Sequence, residues 1–446
     1  MSTLTTGFSD PSLLSALISG EQFWPTEPRS AHEIGLSEPF LEMLVVKYLL
    51  MTGTASGRDV ATEICLPFTF VESILERLRA RKIVTHCGSG LLNDYVYSLT
   101  EDGRVRARAY EQECAYVGPA PVLLSDYVIS VEAQSISEEP IRRDDLADVF
   151  HDVSVPKELL SLLGPAVNSG SGLFLYGAPG NGKSTLANRI TGCFGQHIWL
   201  PHAFIEGREI VKVFDPTYHR ETSRQGAPDE ESMPHDRRWI RVRRPTVIVG
   251  GELTMDSLEI RHDPVTRISE APLQLKSNCG CLLIDDFGRQ RISPEELLNR
   301  WIVPLENRQD FLTLGTGKKI QVPFEQVIIF STNIDPADLV DEAFLRRIPH
   351  RIKVGDPSED EFHRLFQLAA EGIGCSYDPD AVEHLLEKSY RPQQRALRRC
   401  HPRDLLQQVR HYCTYHDLPM EMLPQYFDEV AKSFFTEVRT KTHLPV

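Results

Sequence analysis

One run of nine residues constrains this chain more than any other: Gly177-Ala178-Pro179-Gly180-Asn181-Gly182-Lys183-Ser184-Thr185. It follows a short apolar stretch, Leu173 to Tyr176, and opens a helical pattern from Lys183 to Cys193, so the glycines fall on a strand-to-helix turn. Glycines at 177, 180 and 182 let the backbone bend tightly and aim several N–H groups inward, and the helix behind them adds the positive end of its dipole. A loop of this kind holds phosphate oxygens. Lys183 supplies a point charge for β and γ phosphates, and the Ser184 hydroxyl can take a position on Mg²⁺. The expected ligands are therefore ATP and Mg²⁺, with Gly177, Pro179, Gly180, Asn181, Gly182, Lys183, Ser184 and Thr185 as contacts.

A second element, Cys281-Leu282-Leu283-Ile284-Asp285-Asp286, is an apolar strand ending in two carboxylates. At the C-terminal edge of a parallel sheet both can reach a ligand crevice, Asp285 on the metal and Asp286 polarising the attacking water. A further short β-rich run, Val327 to Phe330, alternates with helical segments, which predicts an α/β sheet. After Asp356 the pattern is all-helical, opening on Ser358 with Glu361 three residues on, a capping box.

Taken together these segments resemble the AAA+ ATPase superfamily. Val327-Ile328-Ile329-Phe330-Ser331-Thr332-Asn333 is similar to the sensor-1 strand, and the resemblance implies that Asn333 orients the lytic water beside Asp286. Asp341 to Ile352, containing Arg346, Arg347 and Arg351, resembles the helix end that carries arginine fingers. His401-Pro402-Arg403-Asp404-Leu405-Leu406 is similar to sensor 2 in the helical lid, where Arg403, a cation on the first turn of a helix, implies a phosphate partner. Fingers act on a neighbouring subunit's nucleotide, so the resemblance implies a ring, a hexamer. One departure is that Asp286 stands where the superfamily commonly has Glu, one methylene longer.

Phe311 to Val322 alternates around a Gly-rich turn and reads as a β-hairpin directly ahead of the Asn333 strand. This hairpin, with Glu270 to Gly280, resembles the branch that holds MoxR-type ATPases, whose action on proteins implies a protein client.

The chain has 446 residues and a net charge of -15, which disfavours general nucleic-acid coating. Nine cysteines without a CxxC pair fit a reducing compartment, and Cys279/Cys281, Cys400/His401 and His411/Cys413 lack the usual zinc spacing. No apolar run approaches a membrane span, so a cytoplasmic protein without membrane insertion is expected. The expected layout is a loose arm (1–35), a winged-helix unit (36–115), a connector rich in Gly and Pro (116–149), an α/β ATPase core (150–355) and a helical lid (356–446). Within 36–110, nine basic residues face nine acidic ones, and the third helix carries Glu72 and Glu76. Protein docking is favoured over DNA binding; a DNA-associated regulator and a slow, nucleotide-gated scaffold are the alternatives. In the run Asp236 to Arg244, an extended strand would put Trp239, Arg241 and Arg243 on one face. That face reads either as a cationic aromatic surface or as ordinary protection of a sheet edge.

Overall fold

The computed structural model describes residues 23–90, 94–136, 141–151, 153, 155–194, 197–222 and 234–435. Its centre is a parallel sheet of β1 (Leu173–Tyr176), β2 (Thr246–Val249), β3 (Cys281–Ile284), β4 (Val327–Thr332) and β5 (His350–Lys353), in spatial order β2-β3-β4-β1-β5. Successive strand residues point to opposite faces. Leu173, Leu175, Leu283 and Ile329 pack on one side with Leu186 and Ile190 of helix α1 (Lys183–Ile190). Phe174, Leu282, Ile284 and Phe330 pack on the other with Phe287 and Trp301. Both faces are covered, which is why these strands are continuously apolar.

Register does the rest. Thr332 lies opposite Tyr176, and Phe330 lies opposite both Phe174 and Ile284. The loops that leave β1, β3 and β4 therefore emerge side by side at one edge.

The helices after Asp356 enclose a core of their own, with Phe362, Phe366, Tyr390, Leu405, Leu406 and Phe427 buried together. Ser358 accepts from the Glu361 amide at 3.2 Å and donates its own amide back to the Glu361 carboxylate at 3.2 Å, closing the capping box.

The N-terminal unit runs helix (Glu38–Thr52), strand (Thr54–Ser56), helices (Gly57–Glu63 and Phe68–Ala80), hairpin (Val84–Ser89 and Tyr95–Leu99) and helix (Glu101–Glu113). The Thr54–Ser56 strand pairs antiparallel with Tyr95–Leu99, completing a three-stranded sheet. Thr100 caps the last helix by accepting from the Gly103 amide at 3.1 Å.

Three expectations are corrected. The connector is not a linker: Val122–Leu123 is a strand paired with Ala203–Glu206, and Leu124–Ala133 is a helix whose Tyr127 is buried on Phe204. Gly118 and Pro119 form a bend ahead of that strand, and Ala120, Val122, Tyr127 and Val131, which periodicity did not pick out, are buried. The arm is packed from Phe23 onward, where that ring lies 5.5 Å from Trp239; residues 1–22 lie outside the described residues.

The Asp236–Arg244 run is not a cationic aromatic surface. Trp239 is 6% exposed. Arg238 is buried on Asp236 at 2.7 Å and donates to the Ile34 carbonyl at 2.8 Å. Arg237 donates to the Leu66 carbonyl at 3.0 Å, and Arg244 to the carbonyls of Gln134 and Cys279 at 2.9 Å. Arg237 and Arg238 thus satisfy main-chain carbonyls of the N-terminal residues, and Arg244 those of Gln134 and Cys279; beside them lies a second five-stranded sheet, running Arg261–His262, Ser269–Glu270, Glu209–Lys212, Ala203–Glu206, Val122–Leu123. Ala203, Ile205 and Ile210 of that sheet share one apolar core with the N-terminal unit.

The hairpin ahead of β4 is Gln309–Thr313 paired with Lys319–Pro323. Its tip is tied down, because Gly315 and Thr316 donate their amides to the buried Glu209 carboxylate at 2.9 and 3.1 Å.

Candidate active site

The loop after β1 turns on glycines that no other residue replaces freely. At Gly180, φ is +82°, and an added Cβ would sit 2.6 Å from the Cys400 sulfur; at Gly177, φ is +142°, and a Cβ would run into the Val354 carbonyl. The loop is thus wedged between β5 and the lid. Gly182, in the left-handed region, is the N-cap of α1, and Lys183 is the first residue of that helix.

The Lys183 ammonium donates to the carbonyls of Gly177 (2.9 Å) and Ala178 (3.1 Å) and to Asn333 Oδ1 (2.7 Å). All three of its protons are engaged. Burial pulls its pKa below the ordinary lysine value, against the opposing pull of Asp285 and Asp286. Asn333 Nδ2 in turn donates to Asp286 Oδ1 at 2.9 Å, so one amide bridges the lysine and the second carboxylate. Ser184 Oγ donates to Asp285 Oδ2 at 2.7 Å. Asp286 itself has φ of +52°, a left-handed backbone that Asp tolerates better than most residues.

These groups line a cavity of about 570 Å³ together with Pro179, Gly180, Asn181, Gly182 and Thr185. Val153, Val155, Pro156, Leu159 and Leu365 make an apolar wall, so polar and apolar ends suit a ligand with phosphates at one end and a flat ring at the other. Ser184 and Asp285 offer hard oxygen donors on adjacent loops, the chemistry Mg²⁺ takes.

The lid closes the cavity from above. The Cys400 amide donates to the Gly180 carbonyl at 2.9 Å, and Asn181 is held at both ends, giving Nδ2 to Asp356 (2.7 Å) and accepting from the Arg399 amide (3.3 Å). Arg403, on the first turn of helix α2 (His401–Tyr415), lines the cavity with its guanidinium on Asp404 at 3.0 Å.

The structure thus brings together Gly177 through Thr185, Asp285, Asp286, Asn333 and Arg403. It does not bring in Arg346 or Arg347: neither lines the cavity, Arg346 is exposed, and Arg347 pairs with Glu306 at 2.7 Å. Sequence reasoning missed Arg289 and Arg399, which do line it. Arg399 stands four residues before Arg403, and Arg289 three after Asp286; neither spacing separates a site cation from a surface one.

A family described as "Domain of unknown function (DUF8689)" matches residues 358–433, the lid alone. No curated protein matches the chain. Among solved structures, the chain is similar to NtrX from Brucella abortus at 13% identity, covering 65% of this chain and 57% of that one with a TM-score of 0.40. NtrX in complex with ADP gives 14% identity, 67% and 59% coverage and a TM-score of 0.39. The Thermotoga maritima RuvB Holliday junction branch migration motor gives 14% identity, 68% and 72% coverage and a TM-score of 0.35. The chain spans under two thirds of the NtrX chains it resembles.

Proposed function

We propose that this chain is an ATPase of the AAA+ type, hydrolysing Mg-ATP in a homo-oligomeric ring, a hexamer, and remodelling a protein partner. The observation that carries the reading is the Lys183–Asn333–Asp286 chain of hydrogen bonds beside the Ser184–Asp285 pair.

In this reading the phosphate loop and Lys183 hold the β and γ phosphates. Ser184 and Asp285 would hold Mg²⁺, which when bound neutralises charge on the phosphate oxygens. Asp286, oriented by Asn333, accepts the proton of the attacking water. Arg403 swings from Asp404 to phosphate as the lid closes. Arg346 is the better finger, since it is exposed and Arg347 is paired; a neighbour's Arg346 reaches the nucleotide across the ring contact. A fast motor is not required, because Asp286 is short and the site is sensitive at the ångström level.

The hairpin and the N-terminal unit point to the client. The hairpin supports placement near the MoxR-type branch, although its tethered tip suits a lever better than a free pore loop. We read the N-terminal unit as a winged helix that docks protein: its third helix exposes Glu76, and Arg77 on that helix is paired with Glu38, so the face that would meet phosphates is of mixed charge.

The test is ATP turnover per subunit against protein concentration. It should rise on assembly, vanish in Lys183→Ala, and fall by about 10³ in Arg346→Ala while nucleotide still binds. Turnover that survives Lys183→Ala would sink the reading.

A further inference from the structure

Four cations wall the nucleotide cavity: Lys183, Arg289, Arg399 and Arg403. Three are engaged. Lys183 has its protons on Gly177, Ala178 and Asn333, Arg399 is on Glu361 at 3.1 Å, and Arg403 is on Asp404. The Arg289 guanidinium is exposed and has no partner among the described residues.

The turn that carries Arg289 is braced far beyond what a solvated arginine needs. The Asp285 amide donates to the Val249 carbonyl at 2.8 Å, and the Phe287 amide to the Ser331 carbonyl at 2.7 Å. The Phe287 ring is buried 5.0 Å from Phe330. The Arg289 amide donates to the Asp286 carbonyl at 3.0 Å. Gln290 then staples the turn from inside: Nε2 donates to the carbonyls of Asp285 (2.9 Å) and Asp286 (3.1 Å), and Oε1 accepts from the Gly288 amide at 2.8 Å. Phe287 is spent on the core and Gln290 on the backbone. Of the turn's side chains after Asp285, Asp286 and Arg289 are left to line the cavity.

We propose that Arg289 is a catalytic cation supplied by the same subunit, aimed at the γ-phosphate by Gln290; the proposal rests on the ATPase reading above. In the reaction, water oxygen bonds to the γ-phosphorus and the bond from phosphorus to the β–γ bridging oxygen breaks. The bond's electron pair leaves with ADP, and Asp286 takes the water proton before passing it to inorganic phosphate. Charge spreads over the γ oxygens as this happens, and a cation whose backbone is already fixed beside the base has little left to order before it can stabilise that charge. A rigid turn that fixes base and cation together also accounts for Asp286: with backbone position set by the staple, the shorter acid is held where the water must be. Gln290 is a positioning residue and touches no substrate.

The experiment compares full-length wild type, Arg289→Ala, Arg289→Lys and Gln290→Ala by calorimetric titration with ADP and with ADP plus aluminium fluoride, and by steady-state kinetics. In Arg289→Ala, ADP affinity stays within about threefold, the extra affinity conferred by fluoroaluminate disappears, and kcat falls by about 10² or more. Arg289→Lys recovers part of both, and Gln290→Ala lowers kcat by about tenfold with KM unchanged. Fluoroaluminate binding by Arg289→Ala as tight as in wild type overturns the proposal.

Subunit mixing assigns the cation to its own site. Arg289→Ala mixed with Lys183→Ala stays inactive, whereas Arg346→Ala mixed with Lys183→Ala regains turnover, because only a finger can be lent. Recovery in the Arg289→Ala mixture would show Arg289 working across the interface and overturn the same-subunit assignment. Failure of wild type itself to bind Mg-ATP would instead bring down the ATPase reading on which the proposal rests.

Discussion

The Lys183 ammonium lies 2.7 Å from Asn333 Oδ1, and the other end of that same amide lies 2.9 Å from Asp286. One asparagine therefore ties the first cation of α1 to the second carboxylate after β3. In the proposed ATPase, an incoming triphosphate draws lysine protons away from Gly177 and Ala178.

Asn333→Ala should separate binding from chemistry. We expect kcat to fall by about 10² with nucleotide affinity altered less than about threefold, since the amide orients groups that matter chiefly in the transition state. Titration calorimetry beside steady-state kinetics measures both; an equal loss in each would show that Asn333 merely holds the loop together.

Asn181 is 1% exposed and bonds to Asp356 and to the Arg399 amide, so it couples the glycine-rich loop to the lid. Asn181→Ala leaves the Arg399 amide short of an acceptor and should destabilise the chain by about 1–3 kcal/mol. The lid should also open, read as faster proteolysis within 390–400 and loss of protection by ATP.

Arg238 and Asp236 form an ion pair whose side chains are 4% and 5% exposed. Arg238→Met strands a buried carboxylate, so denaturant unfolding should show a loss of about 3–5 kcal/mol. Adding Asp236→Asn should restore a large part of it; no recovery in the double variant would mean that the bond to the Ile34 carbonyl, rather than the pair, holds the N-terminal unit in place.

His401 is a pH-dependent element of the lid. Burial depresses its pKa from 6.5 to about 4, with Arg398 adding to the effect, and Nδ1 shares a hydrogen bond of 2.9 Å with the Tyr390 hydroxyl. Above pH 6.5 both folded and unfolded imidazoles are neutral and stability is complete. Between pH 6.5 and about 4 the unfolded chain gains a proton that the folded lid refuses, so stability falls as pH falls through this window. Thermal melts across this window should slope downward toward acid, and His401→Gln should flatten the slope.

Much of the site was legible in the sequence because its parts are local. Gly177 to Thr185 is one strand-turn-helix unit, and the Asp285-Asp286 and Asn333 segments each end an apolar strand, so residue type and neighbours within ten positions identify them. Ser358 and Glu361 close their capping box for the same reason. What stayed hidden depends on partners distant in the chain. Trp239, Arg241 and Arg243 read as one possible cationic aromatic face, yet Trp239 is buried against Phe23, and the neighbouring Arg237, Arg238 and Arg244 bond to carbonyls of Leu66, Ile34, Gln134 and Cys279. Val122 and Leu123 read as linker because a two-residue strand has no period to detect, and only Phe204 and Ile205 opposite make it one.

By itself the sequence determined that a parallel sheet would carry a glycine-rich turn, a pair of carboxylates and a helical unit after it, since hydrophobic period and glycine placement are short-range properties. Tertiary structure alone decided which cations line the cavity. Arg289 enters because the register of β3 beside β2 and β4 and the Gln290 staple aim its turn inward, whereas Arg347 is drawn to Glu306. Charge carries no direction along the chain; packing supplies it.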